Sequence, residues 1–245
     1  MYNIYIEKEG EILETSVVIV AAGKGKRMGK DYNKQYIPLA GKPIIAHTIE
    51  AFEKTDLIGE IILVVGRGEI DSVKRDIIYK YNFGKVVKIV EGGAERQDSV
   101  YNGLKAVNAN CDIVLVHDGA RPFVTGRIIE KSIETAKDAG ACAVAVRVKD
   151  TIKVVKENME VDYTPNRDML WAVQTPQAFR YEPLLEAYEK LQTNNIKITD
   201  DAMLAEKLGH TVKIIEGSYE NIKITTPEDL ILAEGIFKKR ENILK

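Results

Sequence analysis

The sequence predicts an α/β fold: a Rossmann-like, mostly parallel sheet with helices on both faces, plus a protruding β-arm. Three observations carry that expectation. Short β-branched runs alternate with helical patterns from Val17 to Val146. Those runs are apolar throughout, as strands covered on both faces are. After Val148 the alternation breaks, and an apolar–polar stretch stands where the next crossover unit would begin.

The elements follow in order. Residues 1–15 stand apart as an N-terminal extension to which the sequence assigns no role, an extra edge strand being one reading. Val17–Ala22 is the first buried strand and opens at once into a loop rich in glycine and lysine. Further buried strands are expected at Ile61–Val65, Val86–Val90, Ile113–Val116 and Ala141–Val146. Helical patterns lie between them, near 43–52, 69–81, 98–107 and 126–138. Right-handed crossovers then put the ligand crevice at the carboxyl ends of the strands, where the loops after Ala22, Val90 and Val116 open. The stretch KDTIKVVKENMEVDYTPNRDMLWAVQTPQAF, with a turn at Lys156-Glu157-Asn158, reads as a hairpin or arm over about 149–170. Helices are expected near 182–191 and 200–208, and a late strand at 212–215. Thr226-Pro227-Glu228-Asp229 marks the start of a last helix, running to about Lys239: a capping threonine, proline at the first helical position, then acids. The 245 residues are read as a single domain with a sizeable core.

Composition narrows the function. A net charge of −2 implies no general affinity for nucleic acid or an anionic membrane, so any phosphate site is a local concentration of charge. The two cysteines, Cys111 and Cys142, sit among apolar residues, which suggests a reducing compartment without disulfides. The start MYNIYIEKEGEILET lacks the basic and apolar regions of a secretory signal. No apolar run approaches the ~20 residues that span a bilayer. A cytoplasmic protein is expected, with neither nucleic acid nor membrane as a partner.

Four constellations carry chemistry. The first is the loop after Ala22, where Gly23, Gly25 and Gly29 are interleaved with Lys24, Lys26, Arg27, Lys30 and, further on, Lys34. Such a loop at the end of a strand is suited to a polyanion, above all a nucleoside triphosphate. It is neither a Walker loop nor the dinucleotide fingerprint, whose third glycine would fall at Met28 rather than Gly29. The second is GGAERQDSV, after the third strand. Gly92 and Gly93 let a base or ribose lie against the main chain, and Ser99 donates to a base edge. The competing reading is a tight turn before a capped helix. The third is LVHDGARP. Asp118, at a central strand end facing the triphosphate, is where Mg²⁺ would be held. The competing reading is a structural pair with Arg121; His117 reads as a packed strand-end residue. The fourth set is scattered: Thr151, Arg167, Thr175, Thr199 and Lys223, each weak alone, with Trp171 expected to pack rather than stack on a base. His47, His117 and His210 have no nucleophile motif beside them.

Taken in order, A-A-G-x-G-x-R-M, N-K-Q-Y, G-G-x-x-R-Q-x-S-V, L-V-H-D-G-A-R-P, D-T-I-K, T-P-Q-x-F, I-T-D-D and N-I-K-I-T-x-P-E-D-L resemble the 2-C-methyl-D-erythritol 4-phosphate cytidylyltransferases, over about Ser16–Phe237. The resemblance implies transfer of CMP from CTP to a polyol phosphate, with release of pyrophosphate and help from Mg²⁺ or another divalent cation, in the non-mevalonate route to isoprenoids. It implies that Arg27 and Lys34 stabilise charge on the reacting α-phosphate. Ala21, Ala22, Gly93 and Ser99 would contact the cytidine, with Gly23 beside them as the loop's first glycine. Asp118, Thr175, Thr199 and Lys223 would surround the acceptor, Lys223 as a catalytic cation. Thr151 and Arg167 would lie on an arm that crosses to a second subunit, Arg167 again as a catalytic cation, which makes a homodimer part of the mechanism. The physics agrees. The acceptor's phosphate oxygen is already ionised near neutral pH, so no general base is required. The obstacle is anion meeting anion, which cations and alignment overcome. The chain departs from the family at Arg147, where proline is usual, and this bears on the geometry where the arm begins. Two alternatives are a ribitol 5-phosphate cytidylyltransferase and a non-catalytic nucleotide-binding regulator. T-P-Q-A-F with I-T-D-D speaks against the first, and Arg27, Lys34 and Asp118 together against the second.

Overall fold

The computed structural model describes residues 7–8, 11–12, 14–23, 33–194 and 198–243. Arg27, with the rest of the loop over 24–32, lies outside the described residues. In the N-terminal extension β1 (Glu7–Lys8) and β2 (Glu11–Ile12) pair antiparallel with each other. They form a ladder of their own, so the expectation of an extra edge strand on the main sheet is corrected.

The first half of the chain alternates as its periodicity requires. β3 (Thr15–Val20) leads to a 3₁₀ turn at Lys34–Tyr36 and a small ladder of β4 (Pro38–Leu39) with β5 (Lys42–Pro43). Then come α1 (Ile44–Glu53), β6 (Glu60–Val65), α2 (Ile70–Val73) continuing as a π-helical stretch over Lys74–Tyr79, and β7 (Val86–Glu91). α3 (Arg96–Leu104), β8 (Ile113–Asp118), α4 (Gly126–Ala139) and β9 (Ala141–Arg147) complete it. The second half holds a hairpin of β10 (Val154–Val155) and β11 (Val161–Tyr163), then β12 (Trp171–Arg180), α5 (Tyr181–Asn194), α6 (Asp201–Lys207), β13 (Lys213–Glu216) and α7 (Pro227–Ile243).

Seven strands make the central sheet, in the order β13-β9-β12-β8-β3-β6-β7. Every neighbouring pair is parallel except those of β12, which runs antiparallel between β8 and β9. The period of two in the strands sorts the core onto two faces. Val17, Ile19, Ile61 and Leu63 point to one face and meet Ile45, Phe52, Ile77, Ile129 and Ile133 of α1, the π-helical stretch and α4. Val18, Ile62 and Val64 point to the other and meet Val100, Leu104, Leu184, Tyr188 and Leu204 of α3, α5 and α6. A satellite cluster of Ile37, Leu39, Phe123, Ile224 and Ala233 seats α7. At the start of α7 the Asp229 carboxylate accepts from Thr225 N and Oγ1 (both 2.8 Å) and from Thr226 N (2.9 Å). Those donors are of the kind a helix start leaves without partners.

Two expectations about the strands change. Val86–Glu91 is not a buried strand. It is the edge of the sheet, with Val87 and Lys88 exposed, and among the described residues no strand pairs on its outer side. The tail of the alternating stretch, ending in TPQAF, is more than a continuation of a hairpin. It forms an interior strand whose second half, Gln174–Phe179, is buried. The arm is therefore shorter than the alternating stretch, with β10 and β11 at its tip and a 3₁₀ turn at Arg167–Met169 before it rejoins the sheet.

Candidate active site

The carboxyl ends of β3 and β8 and the start of α3 enclose a cleft of about 520 Å³. Eight residues singled out from the sequence line it: Ala21, Ala22, Gly23, Lys34, Gly93, Ser99, Asp118 and Lys223. The strands deliver them. Val20 pairs in register with Asp118, so the two strand ends open at the same level.

Asp118 is the electrostatic centre. It is nearly inaccessible, at 7% exposure, and three cations close on its carboxylate. Lys223 Nζ lies 2.8 Å from Oδ2, Arg96 Nε 3.2 Å from Oδ1, and Arg121 Nε 3.7 Å from Oδ2. Burial opposes ionisation, but the charges of Arg96, Lys223 and Arg121 outweigh it and hold the carboxyl well below the usual range. The Asp–Arg pair considered from the sequence is thus real, and Lys223, 105 residues further on, joins it. Thr175 packs behind the group: its Oγ1 accepts from Asp118 N at 3.1 Å. It reaches that position where β12 shifts register against β9, at a cis Thr175–Pro176 peptide.

Arg96 is the site residue that sequence reasoning missed. It lines the cleft and makes a fork-like pair with the fully buried Asp201, Nη1 to Oδ1 at 3.1 Å and Nη2 to Oδ2 at 2.8 Å. Burial disfavours its charge, yet Asp201 and Asp118 raise its pKa well above the ordinary value. Tyr188 donates its hydroxyl proton to Asp201 Oδ1. One signal was available: Arg96 is the first residue of α3, where a cation opposes the helix dipole and calls for an anionic partner.

The glycine pair serves both readings given to it. A Cβ on Gly92 would lie 2.3 Å from Ala22 Cβ and 2.7 Å from Ser99 Oγ, so only glycine lets β3, β7 and α3 converge at the cleft wall. Ser99 Oγ accepts from Gly93 N and gives its proton to Glu95 O, both at 3.1 Å. Its proton therefore goes to the main chain. Asp98 Oδ2 accepts from Glu95 N at 3.0 Å, the helix-start bond that the competing reading implied.

Lys34 donates from Nζ to Ile224 O at 2.8 Å, which places its ammonium one residue from Lys223. His117 is packed, as expected: it is fully buried, edge-on to Phe52 (ring centroids 4.9 Å apart), with Nε2 donating to Arg121 O at 3.2 Å. Burial drives its pKa down to about 3, so it stays neutral and takes no part as an acid or base near pH 7. Thr199 does not line the cleft. It is exposed and directs its hydroxyl to Met203 Sδ at 3.5 Å, while its neighbour Asp200 caps α6.

Thr151 and Arg167 are exposed on the arm. Arg167 Nη1 donates to Lys149 O at 3.1 Å. Arg147, where proline was expected, fixes the start of the arm by other means. Its guanidinium lies 4.7 Å from the Trp171 ring centroid and Nη1 donates to Asp168 O at 3.1 Å. Its carbonyl accepts from Tyr219 OH at 2.8 Å. Trp171 thus packs, as expected, under a cation. Several apolar side chains of the arm and its base face outward, Met159 and Met169 at 78% exposure and Val155, Val161 and Tyr163 near half.

A family model described as 2-C-methyl-D-erythritol 4-phosphate cytidylyltransferase matches residues 15–239. A protein of that name from Alkaliphilus oremlandii is 66% identical over 229 residues, covering 94% of this chain and 97% of the relative. One from Alkaliphilus metalliredigens is 56% identical, covering 94% and 95%. Among solved structures, the 4-diphosphocytidyl-2C-methyl-D-erythritol synthase of Anaerococcus prevotii superposes with a TM-score of 0.84 at 36% identity, covering 92% of this chain and 96% of that one.

Proposed function

The chain belongs to the 2-C-methyl-D-erythritol 4-phosphate cytidylyltransferase family, and on that premise we propose how its residues move CMP from CTP to 2-C-methyl-D-erythritol 4-phosphate. The products are 4-diphosphocytidyl-2-C-methyl-D-erythritol and pyrophosphate, a step toward isoprenoid precursors. A phosphate oxygen of the acceptor attacks the α-phosphorus of CTP. A new P–O bond forms, the α–β bridging bond breaks, and its electron pair leaves with pyrophosphate. No proton moves, which suits a cleft beside which the His117 imidazole is held neutral.

The observation that carries this reading is the ring of Arg96, Arg121 and Lys223 about Asp118, with Lys34 beside it, in a cleft walled by glycine. Lys34, together with Arg27, neutralises charge gathering on the α-phosphate. Ala21, Ala22, Gly23 and Gly93 give the cytidine a side-chain-free wall, and the second lone pair of Ser99 accepts from the base's amino group. Asp118 orients Lys223 toward the acceptor phosphate and receives an acceptor hydroxyl. Thr175 supports the same subsite from behind Asp118.

Mg²⁺ fits the site through the nucleotide. Among the described residues no three His, Cys, Asp or Glu side chains are grouped to hold a metal. Asp118 is one carboxylate at hand, and Mg²⁺ characteristically takes one or two carboxylates along with substrate phosphates and water. When bound, the ion supplies charge neutralisation on the triphosphate.

Arg167 and Thr151 act across a homodimer. The apolar side chains exposed on the arm are the surface that a second copy covers, and the arm then carries both residues to the partner's acceptor site. The whole chain works as one catalytic domain, with the N-terminal extension outside the chemistry. Cys111 and Cys142 are buried and unpaired, and burial pushes both thiols up to about 12, which accords with a cytoplasmic location. Among the described residues no helix is long and apolar enough to cross a membrane.

The test is direct. Purified protein is incubated with CTP, Mg²⁺ and each polyol phosphate, and pyrophosphate is measured. Release with methylerythritol phosphate is expected. Release only with ribitol 5-phosphate would replace the acceptor, and no release with either would leave a nucleotide-binding regulator.

A further inference from the structure

Lys34 sits on a short 3₁₀ turn, Lys34–Tyr36, that has no strand or long helix of its own to hold it. What holds it is Glu69, from the loop after β6. Asn33, just before Lys34, donates from Nδ2 to Glu69 Oε1. Tyr36, two residues after it, donates its hydroxyl proton to Glu69 Oε2 at 2.7 Å. Asn33 occupies the capping position of the turn yet makes no capping bond; its side chain is spent on Glu69 instead. Gln35, between them, donates from Nε2 to Ala21 O at the end of β3. Asn33, Gln35 and Tyr36 are therefore fastened around Lys34, which lines the cleft together with Gln35.

The carboxylate is itself fixed. Glu69 N donates to Gly66 O at 3.1 Å, and Gly66 N donates to Glu69 Oε2 at 2.9 Å. A Cβ on residue 66 would lie 2.8 Å from the carboxylate carbon, so glycine there admits the folded-back side chain. Glu69 thus closes a turn on its own loop and clamps the two residues that flank Lys34.

We propose that Glu69 is a positioning residue for Lys34: it sets where the ammonium meets the α-phosphate without touching substrate. The proposal rests on the reading of Lys34 as a charge-neutralising cation. A carboxylate with two fixed oxygens locks both flanks at once, and placing a charge to within about 1 Å is worth on the order of 10²-fold in rate.

The experiment compares kcat and KM for Glu69→Ala, Glu69→Gln, Tyr36→Phe, Lys34→Ala and the Glu69→Ala/Lys34→Ala double variant, each confirmed folded by circular dichroism. Glu69→Ala should lower kcat by roughly 10- to 100-fold with little change in KM for the acceptor. Glu69→Gln keeps one acceptor oxygen and should recover part of the loss. Tyr36→Phe removes a single hydroxyl without emptying the site, and should lower kcat in the same sense. In the Lys34→Ala background Glu69→Ala should cost nothing more, because its effect passes through Lys34. Equal losses in both backgrounds would overturn the proposal, as would a kcat for Glu69→Ala within about twofold of wild type. Near-normal kcat in Lys34→Ala alone would overturn the reading of Lys34 and the clamp with it. Loss in Lys34→Ala without loss in Glu69→Ala would overturn the clamp only.

Discussion

At Asp118 a carboxylate with almost no access to water keeps its charge because three cations surround it. Breaking such a group by removing one member strands the rest, which is why these residues act as a unit. Lys34 stands beside the cluster, with its ammonium donating to Ile224 O, and it lines the cleft. Lys34→Ala is expected to preserve the fold and lower kcat by about 10²–10³, with CTP binding weakened only moderately. Steady-state kinetics with calorimetry of CTP binding checks this, and an unchanged kcat would contradict it. His117 gives a pH signature of its own. Its folded pKa, about 3, lies below the ordinary 6.5, so between those values the unfolded chain takes up a proton that the folded chain refuses. Stability should therefore fall as pH drops through that window, by up to about 1.4 kcal/mol per pH unit from this residue. Urea unfolding from pH 7 to pH 4 should show a steeper decline for wild type than for His117→Gln; parallel curves would remove His117 from the account.

The arm is the element that the sheet does not explain. It leaves β9 at Arg147 and returns at Trp171, and the two are stacked on each other (4.7 Å), so the loop is closed at its base. Lys149 lies 3.6 Å from the Tyr219 ring centroid, and Arg167 bonds to Lys149 O. The base is thus held by two cation–aromatic contacts, each worth about 0.5–1 kcal/mol at an exposed site. They substitute for the rigidity that proline would give at position 147. Arg167 is carried by this element, exposed and outside the lining of the chain's own cleft. Arg167→Ala should impair use of the polyol phosphate, in KM or kcat, more than it alters KM for CTP. Unchanged acceptor kinetics would exclude the role assigned to it.

For the whole molecule the question is whether one chain suffices. The outward apolar side chains of the arm would be a liability on a monomer. In the proposed function a two-fold dimer would cover them and supply Arg167 to the opposite cleft. Complementation separates this from a monomeric mechanism. Lys34→Ala and Arg167→Ala, each nearly inactive, should regain activity when unfolded together and refolded as mixed dimers. In the mixed species one site lacks both residues and the other has both, so recovery approaches about one quarter of the wild-type rate if subunits pair at random. No recovery, with dimers present by light scattering, would mean that Arg167 serves its own subunit.

The periodicity of the chain by itself determined the strands and helices of the first half, and its motifs determined most of the cleft lining. Val17–Val20 and Ile61–Val65 are apolar at every position because helices cover both faces of the sheet, a property that leaves its mark on neighbouring residues. Ala22, Gly93 and Asp118 were legible because they stand at or just past strand ends, and Ser99 because it lies in the first turns of the helix that follows. Tertiary structure alone decided the rest. β12 was legible only as the tail of the alternating stretch that follows the arm, since such a run marks a half-covered strand without saying which neighbour covers it; its place between β8 and β9 depends on pairing with strands roughly 60 and 30 residues away in chain order, which no local pattern encodes. Arg96 and Asp201 meet across 105 residues, and Glu69 reaches Tyr36 across 33. A burial pattern records how much water a side chain loses, whereas an ion pair or a clamp depends on which partner replaces that water, and the partner is chosen only when the sheet closes.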